Sequence, residues 1–273
     1  LETVKVSSLI YIGFLQGTAQ AFASISVNPD LNHKIEKMIA ISPATTPHGL
    51  YSKVLDIMVK ASPSVMYLIF SRKILMPSVI LWQKLMYPPF YDTMIDLLNY
   101  WLFNWRSRNI SKMQKLSSYA HLYSTTSVKC VVHWFQVISL KQFKMFTDFQ
   151  GSQYETIEYP LKNIKVPIHV LYGDIDSLVD INVMLDQLPS HVSAEAVRDH
   201  EHLDNLWGCD VYNMVFKPVL RYLGEPLQVA LNEKTEKSYL HFNESFEDAE
   251  TVSDKKVKVD EILYKPSRGQ MFL

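Results

Sequence analysis

One stretch near the start of the chain decides its fold: Leu9-Ile10-Tyr11-Ile12-Gly13-Phe14-Leu15-Gln16-Gly17. It begins as an apolar run with strand character, and two glycines spaced four positions apart predict a tight turn after it. A helix is expected from Thr18 onward. A strand, a sharp turn and a helix in this order form the setting in which Gly-x-Ser-x-Gly holds a serine nucleophile.

The serine of that pattern is absent. Leu15 occupies the nucleophile position between Gly13 and Gly17. A leucine side chain has no lone pair with which to attack a carbonyl carbon, so no acyl-enzyme can form at residue 15. The stretch therefore predicts the architecture of a serine hydrolase without its attacking atom.

The composition is that of a globular protein. With 273 residues, 48% of them hydrophobic, the chain can bury a sizeable core. Its net charge of −1 gives no electrostatic reason to expect a nucleic-acid partner. Cys130 and Cys209 lie far apart and lack metal-ligand spacing, which argues against a disulfide framework and favours an intracellular location. No metal and no cofactor is expected.

Strand-like runs alternate with helical segments along the chain. After the first strand these runs are Met38–Ile41, Val166–Tyr172 and Ala194–Val197. Such alternation predicts an α/β fold with a parallel sheet. We expect four parts in order: a first part of the core with the elbow (1–46), a helical cap (47–160), a second part of the core (161–224) and a disordered tail (225–273).

The cap contains the most apolar segment of the chain. Val65–Leu85 is the nearest approach to a membrane span, but Arg72, Lys73, Pro77 and Lys84 interrupt it. A spanning helix needs about 20 mainly apolar residues, so no transmembrane segment is predicted. The segment is instead expected to cover an apolar site, with some of its faces on a lipid surface.

An acid and a histidine follow the elbow in the order that serine hydrolases of this type use, Ser, Asp/Glu, His. Asp176 comes directly after a predicted strand, and His202 lies on a loop before the last helix. Asp180 is the second choice for the acid, and Asp174 is expected to be a turn residue. His200 is expected to be a surface loop histidine rather than a metal ligand.

Other polar residues are set aside by their positions. Thr18, Ser24 and Ser26 lie beyond the turn, Cys209 follows on the wrong element, and His121 and His133 belong to the cap.

Three blocks resemble those of a known family: Gly13-Phe14-Leu15-Gln16-Gly17-Thr18-Ala19-Gln20, Gly173-Asp174-Ile175-Asp176-Ser177-Leu178-Val179-Asp180 and His202-Leu203-Asp204-Asn205-Leu206-Trp207. They resemble the elbow, acid and histidine blocks in the C-terminal portion of the acid lipase family and, within it, of the fungal steryl ester hydrolases. The cap stretch ending in His133-Trp134-Phe135-Gln136 is also similar. The resemblance extends from about Ser8 to Leu223.

This resemblance implies an α/β-hydrolase fold with a large helical cap insertion and an N-terminally truncated parallel sheet. It implies that Asp176 is the triad acid, His202 the general base and Leu15 the nucleophile position, and that the backbone N–H of Gln16 is one oxyanion donor. The second donor and the strands before the elbow would be missing. Ser8–Ile12 would then be an unpaired apolar edge, which invites aggregation.

The function implied is that of a lipid ester hydrolase lineage, acting on steryl esters or triacylglycerols through an acyl-enzyme. Its members are expected inside the cell at a lipid-droplet or membrane surface. No protein partner is inferred. Because Leu15 replaces the serine, two alternatives stand beside this one: a catalytically dead lipid-binding or regulatory pseudoenzyme, and a non-functional fragment.

Overall fold

A computed structural model describes residues 1–48, 51, 59, 63–70, 74–75, 85, 88–123, 125–147 and 157–224. Its strands are β1 (Leu9–Phe14), β2 (Ile35–Ile41), β3 (Ile74–Leu75), β4 (Thr126–Ser127), β5 (Ile168–Gly173) and β6 (Ser193–Val197). Its α-helices are α1 (Gln16–Val27), α2 (Leu31–Lys34), α3 (Pro63–Phe70), α4 (Pro88–Phe103), α5 (Lys112–Ser118), α6 (Val128–Leu140), α7 (Ile181–Gln187), α8 (Asp204–Trp207) and α9 (Lys217–Leu223). A π-helical turn, Tyr212–Phe216, leads into α9.

The main sheet is parallel throughout, with strand order β1-β2-β5-β6. Gly13 pairs with Ala40, Ile41 with Leu171, and Gly173 with Val197. Helices connect the strands, because parallel neighbours need a long crossover. The predicted α/β class with a parallel sheet is confirmed.

The central strands are buried on both faces, as parallel strands usually are. Along β2, Met38 and Ala40 join the apolar cluster built around Phe22 of α1. The alternate residue Ile39 joins a second cluster on the opposite face, with Val219 of α9. Because alternate residues of β2 pack against helices on opposite faces, the sheet lies between two layers of helices.

β1 lies at one edge of the sheet. Among the strands of the described residues it pairs with β2 alone. Leu9 and Ile12 keep 40% and 47% of their surface exposed. The apolar edge expected from the sequence is therefore present, although the strand is paired on its other side.

The segment between β2 and β5 is largely helical where it is described, with α3 to α6 in order. It also contains a short antiparallel pair, in which Ile74 faces Ser127 and Leu75 faces Thr126. The sequence pattern predicts a last cap helix over Ser127–Phe146, and this is wrong at its end, because α6 stops at Leu140, where Lys141 takes a left-handed φ of 53°. The cap boundaries stay a prediction. The sequence pattern also predicts helices over 52–60 and 79–85. Apart from single residues, these two ranges and the tail 225–273 lie outside the described residues.

Two glycines give a matched test of this packing. A Cβ on Gly173 would lie 2.1 Å from the carbonyl oxygen of His200, whereas one on Gly17 would meet only the Tyr11 hydroxyl at 3.6 Å. We expect Gly173→Ala to lower the free energy of unfolding by about 1–3 kcal/mol. Gly17→Ala, within α1, should instead raise it by up to about 1 kcal/mol. Urea unfolding followed by circular dichroism measures both, and equal effects would contradict the close approach at Gly173.

Candidate active site

The turn after β1 is a strained elbow. Leu15 has φ 46° and ψ −113°, a conformation that residues with a side chain rarely adopt. Such backbone costs about 1–3 kcal/mol and persists only where its surroundings enforce it. The Leu15 N–H donates to the Ile41 carbonyl at 3.3 Å, and its carbonyl accepts from the Thr18 N–H at 3.0 Å. The nucleophile position thus keeps the geometry of an elbow although it carries a leucine.

Gln16 begins the helix α1, two residues earlier than the sequence predicts. As the first residue of a helix it contributes one of the N–H groups that have no acceptor within the helix. That is the position a developing oxyanion would use. The Gln16 side chain points elsewhere, and its amide donates to the Cys130 sulfur at 3.5 Å.

Asp176 and His202 meet at the carboxyl-terminal end of the parallel strands, which is also the end where the elbow lies. The Asp176 Oδ2 lies 2.6 Å from the His202 Nδ1, and the imidazole is fully buried. The other carboxylate oxygen accepts the Leu178 N–H at 2.9 Å, which fixes the carboxylate plane. Because a carboxylate can only accept, this contact places the proton of a neutral imidazole on Nδ1 and leaves the lone pair on Nε2.

The His202 ring lies between aromatic side chains. Trp105 from the cap stacks on it with ring centroids 4.8 Å apart and planes 4° apart, and Phe14 lies at 5.1 Å. Phe14 and Leu15 pack against the apolar cluster that contains Trp105. Within the described parts of the chain, Nε2 is buried and has no hydrogen-bond partner. This is the atom that would face a serine hydroxyl.

The alternative acids have other roles. Asp180 caps α7, since its Oδ1 accepts the N–H groups of Asn182 and Val183 at 3.0 and 3.3 Å. Asp174 is exposed, and its N–H donates to Val197, as suits a turn residue. Of the three acids, Asp176 is the one hydrogen-bonded to His202.

The residues set aside from the sequence lie elsewhere. The hydroxyls of Thr18, Ser24 and Ser26 donate to backbone carbonyls three residues earlier in the chain. His133 contacts the Lys144 carbonyl at 2.7 Å, while His121 and Cys209 are exposed.

The expectation that His200 is a surface histidine is wrong. Its side chain is 1% exposed, because the loop after β6 folds inward. Its Nδ1 lies 2.9 Å from the Asn205 Oδ1, and its Nε2 lies 3.0 Å from the Asp210 Oδ1. Burial tends to raise the pKa of Asp210, but hydrogen bonds from Asn109 and His200 outweigh it and lower that pKa.

This buried network continues to the backbone of His202. Asn205 donates to the Ser42 hydroxyl at 2.9 Å, and that hydroxyl donates to the His202 carbonyl at 3.1 Å. Ser42 follows β2 and has a positive φ of 43°. The carbonyl of the candidate base is therefore tied to a second strand end.

Glu201 joins the histidine loop to the cap. Its carboxylate accepts the Arg106 N–H at 2.8 and 2.9 Å and the Ser107 N–H at 2.7 Å. Asn104 and Ser107 have positive φ values of 61° and 49°, which curl the segment around the carboxylate. Trp105 lies within this curl, so Glu201 positions the side chain that covers His202. Sequence reasoning missed Trp105 and Glu201, because no motif marks either of them.

An apolar cavity of about 200 Å³ lies beside the elbow. Its lining includes Gln16, Ala23, Trp134, Phe143 and Tyr159. Among the described residues there is no group of three or more His, Cys, Asp or Glu side chains arranged to hold a metal ion. A search of the same residues finds no helix with the length and apolar character needed to cross a membrane.

Asp204, the first residue of α8, should make the stability of the fold depend on pH. Burial raises its pKa to about 6, and the hydrogen bond from the Glu201 N–H offsets this only in part. In the unfolded chain the carboxyl titrates near 3.8. Between these values the folded state binds more protons, so the free energy of unfolding falls as pH rises through this window.

We therefore expect Asp204→Asn, which keeps the acceptor oxygen, to gain melting temperature relative to the parent chain as pH rises from about 4 to about 7. Thermal unfolding across that pH range measures the difference. A difference that stays constant with pH would contradict the raised pKa.

The chain is similar in sequence to known lipases. No family model matches the chain. A probable lipase of Schizosaccharomyces pombe is 46% identical over 229 residues, which is 82% of this chain and 49% of that protein. Human lysosomal acid lipase/cholesteryl ester hydrolase is 26% identical over 247 residues, covering 81% of this chain and 60% of that protein. The chain thus spans about half the length of the Schizosaccharomyces pombe relative.

Solved structures show the fold. A soluble variant of monoglyceride lipase from Saccharomyces cerevisiae, bound to a substrate analog, superimposes with a TM-score of 0.50 and 13% identity over 81% of this chain and 63% of that chain. At that identity the likeness concerns the α/β-hydrolase fold alone. Together with the sequence similarity to lipases, it makes this chain a member of the acid lipase family of α/β-hydrolases.

Proposed function

We propose that the chain carries the acid and base of a lipid ester hydrolase site whose nucleophile position is occupied by Leu15. The observation that carries this proposal is the pairing of the Asp176 Oδ2 with the His202 Nδ1 at 2.6 Å, with Nε2 left unpartnered among the described residues. The elbow beside it keeps a strained φ of 46°. In serine hydrolases a buried acid–histidine pair of this kind removes the proton of the serine nucleophile.

In a scaffold with serine at residue 15, each group has a defined task. Asp176 would hold the Nδ1 proton, so that the His202 Nε2 accepts the serine proton as the hydroxyl attacks the ester carbonyl. The Gln16 N–H would stabilise the oxyanion. As the ester C–O bond breaks, the protonated His202 would give its proton to the departing alcohol, which leaves the acyl-enzyme. With His202 again acting as base, water would then attack the acyl-enzyme, and the fatty acid and free serine would be released. With leucine at residue 15 the first step has no nucleophile, so we expect no turnover by the chain as it stands.

The substrate class proposed is a lipid ester, either a steryl ester or a triacylglycerol, met at a lipid-droplet or membrane surface inside the cell. The names of the relatives support a lipid ester, since they are lipases and one is also called a cholesteryl ester hydrolase. A surface location is supported by α4, where Phe90, Leu97 and Trp101 are 65%, 59% and 58% exposed. Exposed apolar groups on one helix face suit contact with lipid.

Restoring the serine tests the proposal. We expect Leu15→Ser to be labelled covalently by a fluorophosphonate probe, because His202 can then take the serine proton. The parent chain and the double variant Leu15→Ser/His202→Asn should show at least about a hundredfold less labelling. In-gel fluorescence and mass spectrometry of the peptide containing residue 15 provide the measurement. If the single variant is folded but not labelled, the proposed acid–base role is wrong.

A second candidate function is lipid binding without catalysis. It is favoured by the apolar cavity beside Gln16, and by Leu15 itself, which adds an apolar side chain to the elbow. A site of this kind would hold part of an acyl chain while leaving the ester intact.

Saturable binding of a cholesteryl ester with a fluorescent acyl chain, delivered from cyclodextrin, tests this candidate. Ala23→Phe fills the cavity from α1 and should weaken binding at least about tenfold. Val27→Phe, at an exposed position of the same helix, is the matched control and should leave binding unchanged. Equal effects of the two variants would place the binding elsewhere.

A further inference from the structure

A larger pocket, of about 410 Å³, lies on the cap. It is formed by one side of α4, the loop that follows it and the start of α5. Its lining residues are Asp92, Thr93, Asp96, Arg106, Ser107, Arg108, Ile110, Lys112 and Lys115. Ile110 is the one apolar side chain among them, so the pocket suits a hydrophilic group rather than an acyl chain.

The cations of the pocket outnumber its ionised acids. Asp96 is already satisfied, with the Lys115 Nζ at 2.7 Å and the Tyr119 hydroxyl at 2.7 Å. The side chains of Arg106, Arg108 and Lys112 make no ion pair with any carboxylate of the described residues. The lining therefore carries four cationic side chains against two acidic ones, and of the three unpaired cations it is Lys112 that interacts electrostatically with Asp92.

Asp92 is the more buried of the two acids that line the pocket. It is 8% exposed, and burial, followed by the nearby charge of Asp96, raises the pKa of its carboxyl. The nearby charges of Lys115 and Lys112 lower that pKa and offset part of this effect.

Hydrogen bonds to Glu201 and Asp210 fix the loop that carries the two arginines. The Arg106 and Ser107 N–H groups donate to Glu201, and the Asn109 side chain donates to Asp210 at 2.8 Å. The Arg106 side chain takes no part in these bonds, so it is free to contact a ligand while its backbone stays fixed. Guanidinium groups bind phosphate oxygens two at a time, which favours a phosphate over a single-point anion.

We propose that this pocket binds the phosphate headgroup of an anionic lipid. The exposed apolar face of α4 next to the pocket favours a phosphate carried by a lipid over a free phosphate. Thr93 lines the pocket and lies one turn before Leu97, which belongs to the exposed apolar face with Phe90 and Trp101. A cationic pocket bordering an apolar face fits a lipid surface, where headgroups and acyl chains are presented together. The inference rests on the lipid-surface contact proposed above and adds the chemistry of that contact.

The test is flotation of the full chain with phosphatidylcholine vesicles, with and without phosphatidic acid. We expect binding that requires phosphatidic acid and weakens at least about tenfold in Arg106→Gln/Arg108→Gln. The charge-matched control is Lys34→Gln/Lys165→Gln, which removes two exposed lysines that precede β2 and β5 at the opposite edge of the sheet. This control should keep its binding.

Three results would overturn the proposal. Equal loss in the two double variants would show that net charge alone attracts the chain. Binding of glycerol 3-phosphate without any preference for phosphatidic acid vesicles would show a site for free phosphate. Unchanged binding in the arginine variant would show that the pocket is not the site of vesicle binding. If that variant is unfolded by circular dichroism, Lys112→Gln replaces it.

Vesicle binding does not need a nucleophile, so it is independent of the Leu15→Ser labelling experiment. Failure of the labelling with intact, arginine-dependent vesicle binding would leave the pocket in place and reject the hydrolase role. Labelling of Leu15→Ser without arginine-dependent vesicle binding would reject the role of the pocket and leave the hydrolase role in place. Asp92→Asn, which removes an acidic side chain from the lining, should bind as well as or better than the parent chain, and weaker binding would count against the pocket.

Discussion

The parallel pairing of β1, β2, β5 and β6 is the constraint on which the site depends. Parallel strands bring their carboxyl ends to one edge of the sheet, where ligands of α/β proteins usually bind. Leu15 follows β1, Ser42 follows β2, Asp176 follows β5 and His202 comes in the loop after β6. A short, branched set of hydrogen bonds then ties these turns to one another. A slip in register between β5 and β6 would separate the acid from the histidine.

The same constraint explains why the elbow keeps its shape without a serine. The backbone of Leu15 is set by the pairing of β1 with β2, by the start of α1 and by the close approach of Gly13 to the Thr18 nitrogen. None of these contacts involves the side chain of residue 15. The conformation therefore belongs to the turn, and the leucine bears a strain that in a serine enzyme would serve catalysis.

The parallel α/β fold could be predicted because alternating apolar runs and a glycine-spaced turn are local signals. The acid and the histidine could be named from their order along the chain, although spacing alone could not choose Asp176 over Asp180. The contact between the acid and the histidine depends on the pairing of β5 with β6, which brings the loops after these strands together. The burial of His200 and the covering of the imidazole by Trp105 could not be predicted, because both depend on contacts between segments about ninety residues apart, such as Glu201 with the Arg106 N–H. Their catalytic roles stay a proposal.

The stack of Trp105 on His202 also gives the molecule an optical property. An indole ring parallel to an imidazole at a centroid distance of 4.8 Å is close enough for its emission to depend on the charge and position of that imidazole. The chain has five tryptophans, so the signal of this one is the difference between the parent chain and Trp105→Phe. Movement of the cap segment away from the histidine loop would change that difference without any added label.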